Sequence, residues 1–161
     1  MNVLIAYASY YGSTERCAYK IKEKLKYVSS IVNVSYSGAI KLQDYDAVII
    51  GSPIHIGKIH KAMKKFLETN KTALAEKSIY LFLCGLDTSI PDGIMKDIPD
   101  EIKDKIVFTS LLGGEIVKDS LSGFEKMGIE MMEKKLKTDY SNLKTICDNK
   151  IEEFIGKINE V

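Results

Sequence analysis

The sequence predicts an α/β domain: a doubly wound, five-stranded parallel sheet of order 2-1-3-4-5 with helices on both faces. Three observations predict it. Strand-like and helix-like segments alternate along the chain. Three of the strand segments are continuous apolar runs, which mark strands covered on both faces. The loops that leave those three strands carry the unusual residues, and a sheet of this order opens its ligand crevice there.

The first strand is Val3 to Tyr7, a short apolar run bounded by polar residues. A helical pattern follows over residues 13–28. Cys17, Ala18, Ile21, Leu25 and Val28 recur at three- and four-residue steps, and lysines fill the other side. Residues 31–36 alternate and read as a shorter strand near an edge, closed by Ser37-Gly38. The third strand is the run over residues 46–51. After a loop at residues 52–57 comes a helix over residues 58–69, with Ile59, Met63, Phe66 and Leu67 on one face. Residues 78–84 form the fourth strand. Residues 90–104, broken by Pro91 and Pro99, are irregular or briefly helical. Residues 106–112 are the fifth strand, and helices over 121–136 and 143–158 end the chain.

Length and charge bound the function. With 161 residues, 45% hydrophobic and 28% charged, the chain is expected to be one globular domain, residues 1–161. A net charge of +1, with no basic run, excludes a nucleic-acid partner. No apolar run is long enough to span a bilayer, and no signal peptide is read at the start. Cys17, Cys84 and Cys147 are odd in number and widely spaced, which fits free thiols and a cytoplasmic location. His55 and His60 have no carboxylate or thiol at ligand spacing, so no metal site is expected.

The chemistry concentrates in the first loop: Ser9, Tyr10, Tyr11, Gly12, Ser13 and Thr14. It lies between a strand and a helix N-terminus, where backbone N–H groups lack partners and the dipole favours an anion. Gly12 allows close backbone approach, and three hydroxyls add donors. The loop holds no lysine or arginine, which suits a terminal phosphate bound by neutral donors. It lacks both the Gly-Lys-Ser/Thr of a nucleotide triphosphate loop and the three glycines of a dinucleotide loop. An ordinary turn capped by Ser13 is the alternative.

Ser9, Gly12 and Thr14 match the spacing of the FMN phosphate loop of flavodoxins, Ser/Thr-x-Thr-Gly-x-Thr, with Tyr11 in place of the central threonine. With the five-strand pattern, nearly the whole chain resembles the flavodoxin superfamily. Residues 48–60 and Leu111-Leu112-Gly113-Gly114 are similar to flavodoxin-domain proteins akin to menaquinone-dependent protoporphyrinogen oxidase, as is Thr138-Asp139 followed by Tyr140. The resemblance implies FMN as cofactor, with its phosphate on the first loop. Its ring would lie between Ser52, Pro53, Ile54, His55 and Ile56 on one side and Cys84, Gly85, Leu86 and Asp87 on the other. It also implies an oxidoreductase acting on a small organic substrate such as a quinone or protoporphyrinogen. A flavodoxin-type electron carrier with a redox protein partner is the alternative.

The chain departs from the electron carriers. Those are strongly acidic and flank the flavin with aromatics, whereas this chain is near neutral and has no tryptophan. That favours two-electron chemistry with a small substrate. The basic stretch of the membrane-linked oxidases is mildly acidic here, at residues 90–104. His55 is the catalytic candidate, since its side chain could carry a proton or charge near the ring. Alternatively only its backbone meets the ring edge. Cys84 reads as an inert strand-end thiol and His60 as a helix-surface residue. Tyr10 and Tyr11 either shield the flavin or pack on the following helix. Met127, Met131 and Met132 read as core filling, with a substrate mouth or a dimer face as the alternatives.

Overall fold

The computed structural model describes residues 1–86, 89–137, 139 and 143–160. Asp87, Thr138 and Tyr140 lie outside the described residues, as does the side chain of Met132. The elements are β1 (Asn2–Tyr7), α1 (Ser13–Lys24), β2 (Val28–Asn33), β3 (Ala47–His55), β4 (Lys58–Ile59), α2 (Lys61–Leu74), β5 (Ser78–Cys84), α3 (Gly93–Lys96), α4 (Asp100–Lys103), β6 (Ile106–Leu111), α5 (Gly123–Leu136) and α6 (Asp148–Asn159). Five strands run parallel in the path β2-β1-β3-β5-β6.

The sheet has six strands, not five. The extra one is β4, which pairs antiparallel with the end of β3 through Ile54–Ile59 and His55–Lys58. Its two residues are too few to leave a pattern in the sequence. β3 therefore continues to His55, through residues expected to be loop. β2 lies three residues earlier than expected, paired from Asn2–Val28 to Tyr7–Asn33. Asn33 ends it: its side chain accepts from Ser35 N at 3.0 Å and its carbonyl from Tyr36 N at 3.2 Å. Those two bonds fold residues 33–36 into a turn, and Tyr36 points into solvent. α1 correspondingly stops at Lys24, with Leu25 already extended.

The alternation of side chains along the strands builds two cores. Leu4, Ala6, Val48, Ile50, Leu81 and Leu83 face α2, through Met63, Phe66, Leu67 and Leu74. Val3, Ile5, Tyr7, Ile49, Tyr80 and Phe82 face α1 and α6. Because both faces are covered, β1, β3 and β5 are apolar at nearly every position. Phe154 of α6 anchors the second layer, with its ring 5.9 Å from Phe82 and 6.0 Å from Phe108. Gly51 has no room for a side chain: a Cβ there would lie 2.2 Å from the Phe82 ring.

The carboxyl ends of β1, β3 and β5 open on one side of the sheet. After β6, Gly113 turns the chain at φ +87°, with Thr145 O where its Cβ would be. The stretch that follows carries α5 back over those strand ends before α6 returns to the core.

Candidate functional site at the carboxyl end of the sheet

The first loop is built by two local bonds. Gly12 takes φ +90°, a conformation that suits glycine, and caps α1 with its carbonyl accepting from Arg16 N at 2.9 Å. Its N–H donates to Ser9 Oγ at 2.9 Å, which closes the loop on itself. Gly12 and not Ser13 is the N-cap, and Ser13 is the first helical residue. Thr14 is 1% exposed, and its Oγ1 meets no acceptor or donor with hydrogen-bond geometry. A thiol, Cys84, lies beside it, and sulfur is a weak partner. An unpaired buried hydroxyl costs about 1–3 kcal/mol; Ser35 Oγ and Tyr80 OH share this state, but Thr14 is the one of the three that lines the cavity described below.

The second wall is the β3–β4 hairpin. Its two-residue turn, Ile56-Gly57, has φ +51° and +69°. Positive φ at both positions is the type I′ turn, whose twist matches the strands. For a β-branched residue this backbone costs on the order of 1–2 kcal/mol, and Ile56 is nevertheless 87% exposed. The hairpin is anchored from beneath. Ser52, fully buried, accepts from His60 N at 2.9 Å and donates to Pro53 O. Asp97 accepts from Ile59 N and pairs with Lys64 at 2.6 Å. His60 is not a helix-surface residue. It is the N-cap of α2, with Nδ1 accepting from Ala62 N at 3.1 Å.

That cap makes a pH prediction. Burial holds the His60 pKa below its ordinary value of 6.5. A lowered value means that folding disfavours the charged form, so the stabilisation is complete above the unfolded pKa and is lost as pH falls through the folded one. The same proton occupies the nitrogen that caps the helix. Acidification below neutrality is expected to destabilise the protein more steeply than it does a His60→Asn variant, which caps without titrating. Unfolding curves at neutral and mildly acidic pH check this; parallel losses in the two proteins would count against it.

Tyr10 reaches the hairpin and Tyr11 reaches α5. The Tyr10 ring lies 4.1 Å from that of His60 and 5.5 Å from that of His55, bridging the first loop to the hairpin. Tyr11 OH donates to Glu125 of α5. Burial and that carboxylate push the Tyr11 pKa up to about 12. Glu125 is held below the usual carboxylate range by Ser122, its capping-box partner, and by Tyr11.

Together these walls enclose a cavity of about 450 Å³, within the ordinary size range of a small-molecule site. Ser9, Tyr10, Tyr11, Ser13 and Thr14 line it from the first loop, and Pro53, Ile54, His55 and Ile56 from the hairpin. Cys84, Gly85 and Leu86 line it from the end of β5. Two expected site residues, Gly12 and Ser52, support these walls without lining the cavity. The Cys84 thiol is held well above its ordinary pKa by contact with the Cys17 thiol and by burial, which makes it unreactive.

Sequence reasoning missed the fourth wall. Glu115 and Ile116 after β6 line the cavity, as do Leu121, Phe124, Glu125, Gly128 and Ile129 around α5. The Ser122-x-x-Glu125 capping box marks the start of α5 in the sequence. Nothing in the sequence says that the helix folds over the crevice. Met127 and Met131 do not fill the core; they are 54% and 67% exposed.

The family described as "Flavodoxin domain" matches residues 4–143. An uncharacterized protein of Methanocaldococcus jannaschii, MJ0298, is 29% identical over 106 residues, covering 65% of this chain and 68% of that one. Among solved structures, a flavodoxin from Streptococcus pneumoniae TIGR4 superposes with a TM-score of 0.57 at 14% identity, covering 99% of each chain. A flavoprotein from Lactobacillus acidophilus NCFM, determined in complex with FMN, gives a TM-score of 0.51 at 18% identity, covering 70% of this chain and 91% of that one. At these identities the solved structures show a shared fold.

Proposed function

The chain belongs to the flavodoxin domain family, and from that premise we propose that it binds FMN and acts as an oxidoreductase on a small organic substrate such as a quinone or protoporphyrinogen. The observation that carries the reading is the unpaired, buried Thr14 hydroxyl in the first turn of α1, among the residues that line the cavity. A phosphate monoester satisfies that hydroxyl and the helix N-terminus together. The rest of the cavity is mainly apolar and suits a flat ring.

When bound, the cofactor supplies reversible one- or two-electron transfer. The chain's own residues do the rest. Ser9, Ser13 and Thr14 hold the phosphate, with the N–H groups of the first turn. Ile54, His55 and Ile56 on one side, and Gly85 and Leu86 on the other, set the place of the ring. Tyr10 offers an aromatic face beside His55. His55 presents an imidazole at the hairpin, among the residues that line the cavity. α5 covers one side of the cavity, with Ile129 along it. That wall favours a small substrate, since it leaves the site recessed.

A second reading, an electron carrier for a protein partner, is favoured by the rim. Ile56 is 87% exposed and Phe124 81%, and both border the cavity. Among the described residues no helix is long and apolar enough to cross a membrane. The three free thiols suit the cytoplasm.

The test is to load the protein with FMN, remove the excess and follow the visible spectrum during stepwise anaerobic reduction. Loss of the flavin band on removal of excess would sink both readings. Bleaching in one two-electron step supports the oxidoreductase, and two resolved one-electron steps support the carrier.

A further inference from the structure

The first loop carries no cation of its own, but one is folded onto it. Arg16 lies on the first turn of α1, and its guanidinium sits over Gly12: a Cβ at Gly12 would lie 2.8 Å from the Arg16 Nη1 atom. The other guanidinium nitrogen, Nη2, pairs with Glu115, a cavity-lining carboxylate only 10% exposed. Glu115 has a second cation. Its Oε1 lies 3.1 Å from Lys144 Nζ, across a short antiparallel bridge between the two residues' backbones.

This arrangement is uneven. Arg16 has one carboxylate, and the first loop and the N-terminus of α1 lie beside it. Glu115 has two cations, and keeps one if Arg16 leaves. A phosphate monoester near neutrality carries close to two negative charges and three acceptor oxygens, against one charge for a carboxylate. Guanidinium matches phosphate in a two-pronged geometry that an ammonium group cannot make. Glu115 meanwhile places a negative charge at the edge of an anion site, which disfavours an anion whenever Arg16 does not cover it.

Resting on the assignment of the first loop to a phosphate, we infer that Arg16 is the cationic arm of the phosphate site and that Glu115 is its built-in competitor. The pair makes the site selective for a phosphorylated ligand over the same ligand without phosphate. With the phosphate present, Arg16 transfers to it and Glu115 stays with Lys144. Without the phosphate, Arg16 stays with Glu115 and the loop is left to its neutral donors.

The experiment compares FMN with riboflavin, which carries the same ring and no phosphate, by quenching of flavin fluorescence. Wild-type protein, Arg16→Gln and Glu115→Gln are titrated with each. Arg16→Gln should weaken FMN by about tenfold or more, the worth of a charge-assisted hydrogen bond, and flatten its salt dependence. Glu115→Gln should tighten FMN by about threefold to tenfold, since it removes the competitor. Riboflavin should move by less than about twofold in either variant, as it makes no charged contact.

Equal FMN affinity in wild type and Arg16→Gln would overturn the inference, as would a parallel loss of FMN and riboflavin. Weaker FMN binding in Glu115→Gln would also overturn it, by making the carboxylate a support and not a competitor. Wild-type protein that takes up neither flavin would remove the FMN assignment and this inference with it. Wild-type protein that binds FMN but does not respond to Arg16→Gln removes the inference alone.

Discussion

Replacing Thr14 with valine is expected to weaken FMN binding by about tenfold to a hundredfold while leaving the flavin-free protein as stable as before, or more so. The two effects have one cause. Valine keeps the shape of threonine and removes only the hydroxyl, which is buried and unpaired in the protein alone. A hydroxyl donating to a phosphate contributes about 1.5–3 kcal/mol, which is the stated loss in affinity. The same hydroxyl without a partner is a cost of folding, so its removal should raise flavin-free stability by about 1 kcal/mol. Isothermal titration and urea unfolding of one sample measure both. Unchanged FMN affinity would move the phosphate elsewhere. A large loss of flavin-free stability would mean that the hydroxyl was paired after all, most simply with the thiol of Cys84.

Replacing Phe154 with alanine is expected to cost about 3–5 kcal/mol of folding stability, the usual range for a fully buried phenylalanine. Phe154 is completely buried and is the residue of α6 that reaches both β5 and β6, through Phe82 and Phe108. Its neighbours are rings at the sheet surface, which cannot easily close on the space left. A domain of this length has about 5–15 kcal/mol in all, so about a fifth or more of the margin is at stake. Each kcal/mol is about 2–4 °C of melting temperature at this size, so a fall on the order of 10 °C or more is expected. Phe154 lies on the face opposite α2 and away from the cavity lining, so FMN affinity per folded molecule should hold. A loss under about 1 kcal/mol would show that α6 is replaceable as a cover.

What the sequence made legible follows from where side chains meet repeating surroundings. β1, β3 and β5 are covered on two sides, so each residue is constrained and the apolar runs are unbroken. The first loop was legible for a similar reason: Gly12 must take a positive φ, and glycine advertises it. The β3–β4 hairpin was not. The first position of its turn also takes a positive φ, but isoleucine occupies it, and tertiary anchors at Ser52 and Asp97 hold it there. β2 was displaced by three residues because it lies at an edge, where burial constrains only part of the pattern. Arg16 and Glu115 are 99 residues apart and had no local signature. The methionines of α5 misled because methionine commonly fills cores, and only the tertiary placement shows that Met127 and Met131 face solvent.

α5 itself has a kinetic consequence. None of its described side chains is buried. Two of its ties to the rest of the chain are polar, Tyr11 to Glu125 and Lys118 to Glu133. Lifting it away breaks those ties and takes no described side chain of the helix out of the core, so the free energy of that excursion is expected to be a small share of the global value. Its amide protons should exchange with deuterium well before those of β3 and β5. A ligand can then reach the recessed floor at Thr14 through frequent, partial opening, without waiting for the sheet to come apart. The rate of uptake becomes a property of one helix, and the strength of retention a property of the loop beneath it.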